Sequence, residues 1–306
     1  MTNFTFLIVT YNGEYWIKKC LDSVTNASPS SPIILVDNDS SDSTLNIARA
    51  YEQVEIIALE ENLGFGAANN VGLEKIDYTK CDFVALLNQD AYLEPSAIKN
   101  FKRDLESSYG IHAFLQMNGE GDDYDPHFKF DYLKAEKCPG FFDDVSRNKI
   151  KSHYPIHKTS AACWLLPKST IMKIGGFNPT FYHYGEDDNY VNRLHYHDLK
   201  VALYPNCKVN HDRIASKDRD FYRDKRRKEL RYWITHVANP NRTDSKTSAL
   251  ISLLRQLIIL GIKLNFEAFS VTLDKISSLL KLDIIENRTL TQEQGPSFLH
   301  IKVNPK

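Results

Sequence analysis

Four short apolar runs, three of them closed by a cluster of polar residues, constrain this chain more than any other feature. Residues 4–9 end at Thr10-Tyr11-Asn12-Gly13, residues 32–36 at Asp37-Asn38-Asp39-Ser40-Ser41-Asp42, and residues 83–87 at Asn88-Gln89-Asp90, with 54–59 the fourth run. Between them, 14–25 places Tyr15, Trp16, Ile17, Leu21 and Val24 at helical spacing, and 43–51, 64–76 and 94–107 also read as helices. Pro95 suits the start of the last one. Strands that are apolar throughout must be covered on both faces. The expected fold is therefore α/β: a mostly parallel, Rossmann-like sheet with helices on both sides. In such sheets ligands bind beyond the carboxyl ends of the strands. Three polar strand ends in succession mark that edge as a site.

The second half is less regular. Residues 110–157 read as loops and short strands over the sheet, 159–166 as a strand and 168–174 as a helix. Gly175-Gly176-Phe177-Asn178-Pro179 reads as a turn, 186–197 as a helix, and 201–204 and 208–211 as two short strands. Beyond about residue 218 the pattern is helical to 282 with a break near Pro240, and the last residues, with Gly295-Pro296, are expected to trail off.

Composition narrows the class. The 306 residues are 42% hydrophobic, enough for a core, and the net charge of −1 argues against a dedicated nucleic-acid binder. Five widely spaced cysteines without a Cys-x-x-Cys pair suggest neither a disulfide framework nor a zinc knuckle, and fit a reducing cytosol. The N-terminus enters its first strand without a basic leader, so it reads as a strand and not a signal peptide. The apolar stretch 249–282 is interrupted by Arg255, Lys263, Glu267, Asp274 and Lys275, too often for the ~20 apolar residues of a membrane span.

The order of the motifs resembles a known group. Ile8-Val9-Thr10-Tyr11-Asn12, Val36 to Asp42, Glu61-Asn62-Leu63-Gly64-Phe65-Gly66-Ala67-Ala68-Asn69-Asn70, Leu87-Asn88-Gln89-Asp90, Gly175-Gly176-Phe177 and Tyr184-Gly185-Glu186-Asp187 follow one another. Together they resemble family 2 inverting glycosyltransferases of the GT-A fold, especially bacterial rhamnosyltransferase-like members. The resemblance covers roughly residues 4–235. It implies a GT-A domain over 1–215, with a nucleotide-sugar half at about 1–110 and an acceptor half at about 111–215, and a helical C-terminal extension over 216–306. It implies a nucleotide-sugar donor of dTDP-rhamnose or UDP-hexose type, a divalent cation (Mg²⁺ or Mn²⁺), and a glycan or lipid-linked acceptor in cell-surface polysaccharide synthesis.

Residue chemistry can be set beside that resemblance. Asp37 can accept hydrogen bonds from a base N–H, with Asp39 close by. Thr10, Tyr11 and Asn12 can hold base or ribose from the adjacent loop. The same Asp/Asn/Ser run is also good turn and cap chemistry. The Gly64-x-Gly66 pair is a weak dinucleotide signal without its third glycine. The resemblance places Gly66 and Asn69 along the nucleotide. Asn88-Gln89-Asp90 occupies the place of the group's Asp-x-Asp signature, with Asp90 as the metal carboxylate and Asn88 contributing hydrogen bonds without charge. His211 is a second expected metal ligand, Mn²⁺ tolerating nitrogen better than Mg²⁺. Asp187 matches the general base that takes the acceptor hydroxyl's proton. Glu186 is expected to orient the acceptor. Trp164 is expected either as an acceptor-pocket wall or as core.

Residues 213–231 hold nine Lys/Arg and four Asp/Glu, next to an apolar helical stretch. That combination suits a protein lying on an anionic membrane surface, at the inner face of the cell membrane, and equally a helix packed at a homodimer interface. Two other functions remain open at this stage. A nucleotidyltransferase would show a Gly-rich basic loop after the first strand, which Thr10-Tyr11-Asn12-Gly13 is not. A non-catalytic nucleotide- or glycan-binding module would bind donor without turnover.

Overall fold

The computed structural model describes residues 2–213 and 224–301. One nine-stranded sheet runs in the order β3-β2-β1-β4-β8-β6-β9-β5, with β7 beside β9. Its strands are β1 (Phe4–Thr10), β2 (Ile33–Asp37), β3 (Val54–Ala58), β4 (Phe83–Asn88), β5 (Ala91–Leu93), β6 (Ile111–Asn118), β7 (Tyr154–Ile156), β8 (Cys163–Pro167) and β9 (Val201–His211). β3, β2, β1 and β4 are parallel, as are β6 and β9, while β8, β5 and β7 run antiparallel to their neighbours. The mostly parallel α/β expectation holds, with an antiparallel strand inserted between the two parallel groups.

The continuous apolar runs have their explanation in the two cores. Phe4, Phe6, Ile8, Ile33, Leu35, Phe83, Ala85 and Leu87 face one side, under α1 (Ile17–Ala27), α2 (Thr44–Ala48) and α4 (Ala97–Asp104). Leu7, Ile34, Val36, Val84 and Leu86 face the other, under α3 (Phe65–Lys75), α7 (Lys168–Ile174) and α8 (Glu186–Tyr196). Alternate residues of one strand thus fill opposite layers, which is what period-two side-chain direction demands.

The region 110–157 is more ordered than its sequence suggests. It contains β6, buried along almost its whole length, then α5 (Pro126–Tyr132) and α6 (Phe141–Ser146). The two short strands expected at 201–204 and 208–211 are one strand, β9, whose pairing with β6 shifts register between Phe114 and Leu115. That irregularity absorbs Pro205, which a central ladder otherwise excludes.

Among the described residues four helices follow: α9 (Lys225–Val237), α10 (Lys246–Ile262), α11 (Phe266–Lys281) and α12 (Ile284–Leu290). The end of α9 and the start of α12 share a small core of Val237, Ala238 and Ile284 with Phe181 of the preceding region. Much of the basic run expected at 213–231, residues 214–223, lies outside the described residues. No helix among the described residues is long and apolar enough to cross a membrane. The expectation that the tail trails off is wrong as far as residue 301. Leu299 enters the main core, Gly176 N–H donates to Ser297 O at 2.9 Å, and His300 N–H donates to Glu74 at 2.8 Å. Gly175-Gly176 is glycine for this reason: φ at Gly175 is +78°, and a Cβ there would sit 2.0 Å from Ser297 O.

Candidate active site

Sheet register brings the polar strand ends together. Thr10 pairs with Asp37 across β1–β2, and Val9 pairs with Asn88 across β1–β4. The ends of β6 and β9 belong to the same edge, with Asn118 opposite His211 and His211 opposite Ala91 of β5.

Gln89 joins the first and third ends. Its Oε1 accepts from Thr10 Oγ1 at 2.6 Å and from Tyr11 N–H at 3.0 Å, and its Nε2 donates to Tyr11 O. Sequence reading gave Gln89 no role, because its partners lie 78 and 79 residues away. Asn12 stitches the first loop to the second: its Oδ1 accepts from Ser41 N–H, and its own N–H donates to Ser40 Oγ. Asn12 and Asp39 both hold left-handed backbone, φ 45° and 69°. Asn and Asp tolerate that region better than other side chains. Thr10 and Asn12 therefore shape the loops with the very atoms expected to meet base or ribose. Tyr11 and Asp39 are exposed.

Two acceptors at this edge are buried without a partner. Asp37 is 1% exposed; Oδ2 accepts from Ser40 N–H at 2.9 Å, and Oδ1 has no hydrogen bond. Asn88 Oδ1 is likewise unpartnered. An unsatisfied buried acceptor costs roughly 1–3 kcal/mol, so each is a place where a ligand donor would be stabilising.

Asp90 and His211 face each other, Oδ1 to Nε2, at 3.4 Å. Their backbones are fixed by β5–β9 pairing and by Asp212 N–H donating to Asp90 O at 2.8 Å. Behind the imidazole, Nδ1 lies 3.3 Å from Oε1 of fully buried Gln116. The Gln116 amide is oriented by Ser160, whose backbone oxygen and Oγ accept from Nε2 at 3.4 and 3.0 Å. A backbone carbonyl can only accept, so this end of the amide is nitrogen and the end facing His211 is oxygen. His211 Nδ1 must then be the donor, and Nε2 is the atom presented to Asp90. Among the described residues no three His, Cys, Asp or Glu side chains converge on one point.

The glycine-containing turn before α3 has a packing reason. Gly64 has φ +82°, and a Cβ there would fall 1.8 Å from Tyr182 O. A Cβ on Gly66 would sit 3.0 Å from Phe177 Cβ and 3.5 Å from Glu186 Cβ. Both glycines let the 177–186 loop lie on the start of α3, bringing the Glu186 region onto the N-terminal half of the sheet. Asn70 completes the join as a side-chain rung: Oδ1 accepts from Phe177 N–H at 2.7 Å and Nδ2 donates to Phe177 O at 2.8 Å. Asn69, expected along the nucleotide near ribose or diphosphate, is 1% exposed with its amide donating to Phe65 O inside α3. Of the two places expected for Trp164, acceptor-pocket wall or core, it takes the core. It has no exposed surface and stacks near Phe177 and Tyr190, so it fills the core and offers no face to a sugar.

α8 carries the acidic group and is anchored from below. Tyr190 hydroxyl donates to Gly175 O at 3.1 Å, and buried Arg193 donates to Gly176 O and Ile174 O. The turn before α8 is sharp, with φ 65° at Tyr184 and 99° at Gly185. Glu186 is 6% exposed and its Oε2 has no hydrogen-bond partner. Burial, then the neighbouring Asp187 charge, push its carboxyl well above the usual carboxylate range, with Arg231 opposing. Asp187 is half-buried and accepts from Asp188 N–H at 2.8 Å. Burial, followed by the Asp188 charge, raises it as well. Asp188 is paired with Lys158 at 2.6 Å. Tyr132 of α5 feels the charges of Asp187, Asp188 and Arg213. Arg213 pairs at 2.7 Å with Asp125, the cap of α5. The 119–158 segment therefore links the end of β9 to the acids of α8.

Comparison with known proteins agrees with this geometry. The family model described as glycosyl transferase family 2 matches residues 5–174, and one described as N-terminal domain of galactosyltransferase matches 144–216. The poly(ribitol-phosphate) beta-glucosyltransferase of Bacillus spizizenii is 26% identical over 125 residues, 38% of this chain and 20% of the relative; the chain thus spans about a fifth of that protein. The S. aureus TarS crystal structure superposes with a TM-score of 0.53 at 17% identity, over 79% of this chain and 41% of that one. The Pyrobaculum calidifontis mannosyltransferase PcManGT, in complex with GDP-Man and Mn²⁺, superposes at 0.57 and 12% identity, over 95% and 86%. These structural likenesses establish the shared GT-A fold. Because the first family model spans more than half of the 306 residues and includes all three polar strand ends, the chain belongs to glycosyl transferase family 2.

Proposed function

We propose that this protein moves a sugar, with inversion at the anomeric carbon, from a nucleoside-diphosphate sugar to a hydroxyl of a glycan or lipid-linked acceptor. The donor is of dTDP-rhamnose or UDP-hexose type, and the setting is cell-surface polysaccharide synthesis at the cytoplasmic side of the membrane. The carrying observation is the sheet edge where the unpartnered acceptors of Asp37 and Asn88 lie on the ends of β2 and β4, on either side of β1, with the Asp90–His211 pair on the same edge. The Bacillus relative acts on poly(ribitol-phosphate), a polymeric acceptor, and PcManGT holds a nucleotide sugar with Mn²⁺. Both support the reading.

Asp37 Oδ1 would accept from a base N–H, and Asn88 from a ribose or sugar hydroxyl. The residues present also fit a divalent cation. One carboxylate and one imidazole nitrogen, with the ring's far side committed to Gln116, would form a partial shell, leaving room for oxygen ligands from the donor and solvent. Asp90 and His211 would hold the ion, which when bound would supply positive charge beside the departing diphosphate. Asp187 would take the proton of the attacking hydroxyl. The new C–O bond forms as the anomeric C–O bond to phosphate breaks, and the electron pair leaves on the diphosphate. Glu186, its carboxyl raised by burial, would present a proton and hydrogen-bond the acceptor as a donor.

The test is nucleotide release from UDP-, dTDP- and GDP-sugars with Mn²⁺, Mg²⁺ or EDTA. Release from a restricted set of donors, only with cation, is the expected result. Tight donor binding without release over a broad acceptor panel would make this a binding module instead. A finer outcome concerns Gln116. Gln116→Leu should weaken Mn²⁺ affinity, measured by calorimetry with free nucleoside diphosphate, by about 10- to 100-fold, the usual cost of losing an outer-shell partner. Nitrogen NMR of labelled histidine should show the Nδ1–H form of His211 in wild type and its loss in the variant. An unchanged tautomer and affinity would reduce Gln116 to packing.

A further inference from the structure

The helical hairpin α10–α11 carries an apolar surface that none of the described residues covers. α10 has 17 residues and an apolar sequence, yet Leu253 is its one buried residue. Ile251, Leu254, Ile258, Ile259 and Ile262 recur at the spacing of a single helix face and are 45–79% exposed. The face runs into the hairpin turn, where Leu264 and Phe266 are 70% and 74% exposed. A contiguous exposed patch of this kind marks an interaction surface.

Its charge selects the partner. From 245 to 266 the charged residues are Lys246, Arg255 and Lys263, with no acid. Lys246 pairs with Glu286, while Arg255 and Lys263, on the exposed stretch, form no ion pair among the described residues. The acids of α11 are already engaged from the other side: Glu267 by Lys225 and Asp274 by Arg226 of α9. The surface therefore offers large apolar side chains beside free positive charge, with the nearby negative charge neutralised. A protein partner of matching shape would need its own acidic rim. A bilayer containing anionic lipid presents apolar depth and negative charge everywhere.

We infer that the α10–α11 hairpin docks the protein on an anionic membrane surface. Ile258, Ile262, Leu264 and Phe266 enter the headgroup–acyl boundary, and Arg255 and Lys263 sit at the lipid phosphates. The inference stands on this hairpin and holds whatever the transfer reaction proves to be.

The experiment is sedimentation of the full chain with extruded vesicles of phosphatidylcholine alone or with 30% phosphatidylglycerol. Binding to the mixed vesicles, weakened by salt, and little binding to the neutral ones is expected. The quadruple variant Ile258→Ser, Ile262→Ser, Leu264→Ser and Phe266→Ser should lose at least tenfold in vesicle affinity. The pair Arg255→Gln and Lys263→Gln should lose roughly tenfold for the anionic vesicles alone. All six side chains are exposed, and an unchanged thermal melt confirms folding. Absent binding to the phosphatidylglycerol vesicles, or equal binding by the variants, overturns the inference. So does a concentration-dependent dimer in sedimentation velocity that the serine variant abolishes, because the hairpin would then be an interface between two copies.

Discussion

Replacing Asp90 with alanine is expected to lower the transfer rate by at least about two orders of magnitude and to remove its response to Mn²⁺ or Mg²⁺. The reason is the donor set. Position 88 carries an amide, so Asp90 is the only carboxylate of the Asn88-Gln89-Asp90 segment. It faces His211 at 3.4 Å with a quarter of its side chain exposed. Fold and site separate cleanly here. The strand ends are held by backbone pairing and by Gln89, none of which uses the Asp90 carboxylate. The variant should therefore melt close to wild type while losing cation binding in calorimetry. His211→Ala should lose less rate, because the carboxylate remains. Full turnover by the Asp90 variant in EDTA would remove the metal from the proposal altogether.

The sheet and its polar edge were legible in the sequence because both depend on local pattern. Apolar runs such as 33–36 report burial on two faces, and polar residues that end them report where burial stops. What was not legible depended on distant partners. β6 reads poorly because His112 and Gln116 interrupt it, yet both are fully buried. Their partners are Tyr204 hydroxyl, 92 residues on, and His211 with Ser160, 95 and 44 residues on. β9 looked broken at Pro205, since a bulge is a property of the pairing and not of one strand.

The site shows the same division. The residue types at Asp37, Asn88, Asp90 and Glu186-Asp187 could be singled out one at a time. Which polar atoms are spent on the scaffold could not. Asn69 and Asn70 are adjacent and chemically identical, but one donates back to Phe65 O within its own helix and the other pairs with the Phe177 backbone. Trp164 had the right chemistry for a sugar platform and the wrong depth. Gly64 and Gly66 read as a loop along the nucleotide, while the close atoms are Tyr182 O and Phe177 Cβ. A sequence specifies backbone freedom at such glycines without saying what will approach them.

Asp187→Asn is the substitution expected to cost most. The proposed base touches the acceptor proton only while the hydroxyl attacks, so its loss should appear in kcat, by the ~10²–10⁴ usual for a general base, with donor affinity within roughly threefold of wild type. The local electrostatics add two signatures. Burial and the Asp188 charge raise the Asp187 carboxyl, so the acid limb of the wild-type kcat profile should lie above the usual carboxylate range, with activity rising as pH rises through it. The variant's residual activity should lack that limb. Stability should move the opposite way. A carboxyl whose pKa is higher folded than unfolded binds more protons in the folded state. Its favourable contribution is complete below the unfolded pKa and is lost as pH climbs through the folded one. At neutral pH the wild type therefore carries a strained charge that asparagine removes, and Asp187→Asn should melt higher than wild type while the difference shrinks toward pH 4. Lower kcat with a higher melting temperature is what a destabilised catalytic base produces. If donor binding collapses while kcat at saturation survives, Asp187 is a nucleotide or metal ligand. Asp188, held by Lys158, and Glu186 are then the remaining candidates for the base.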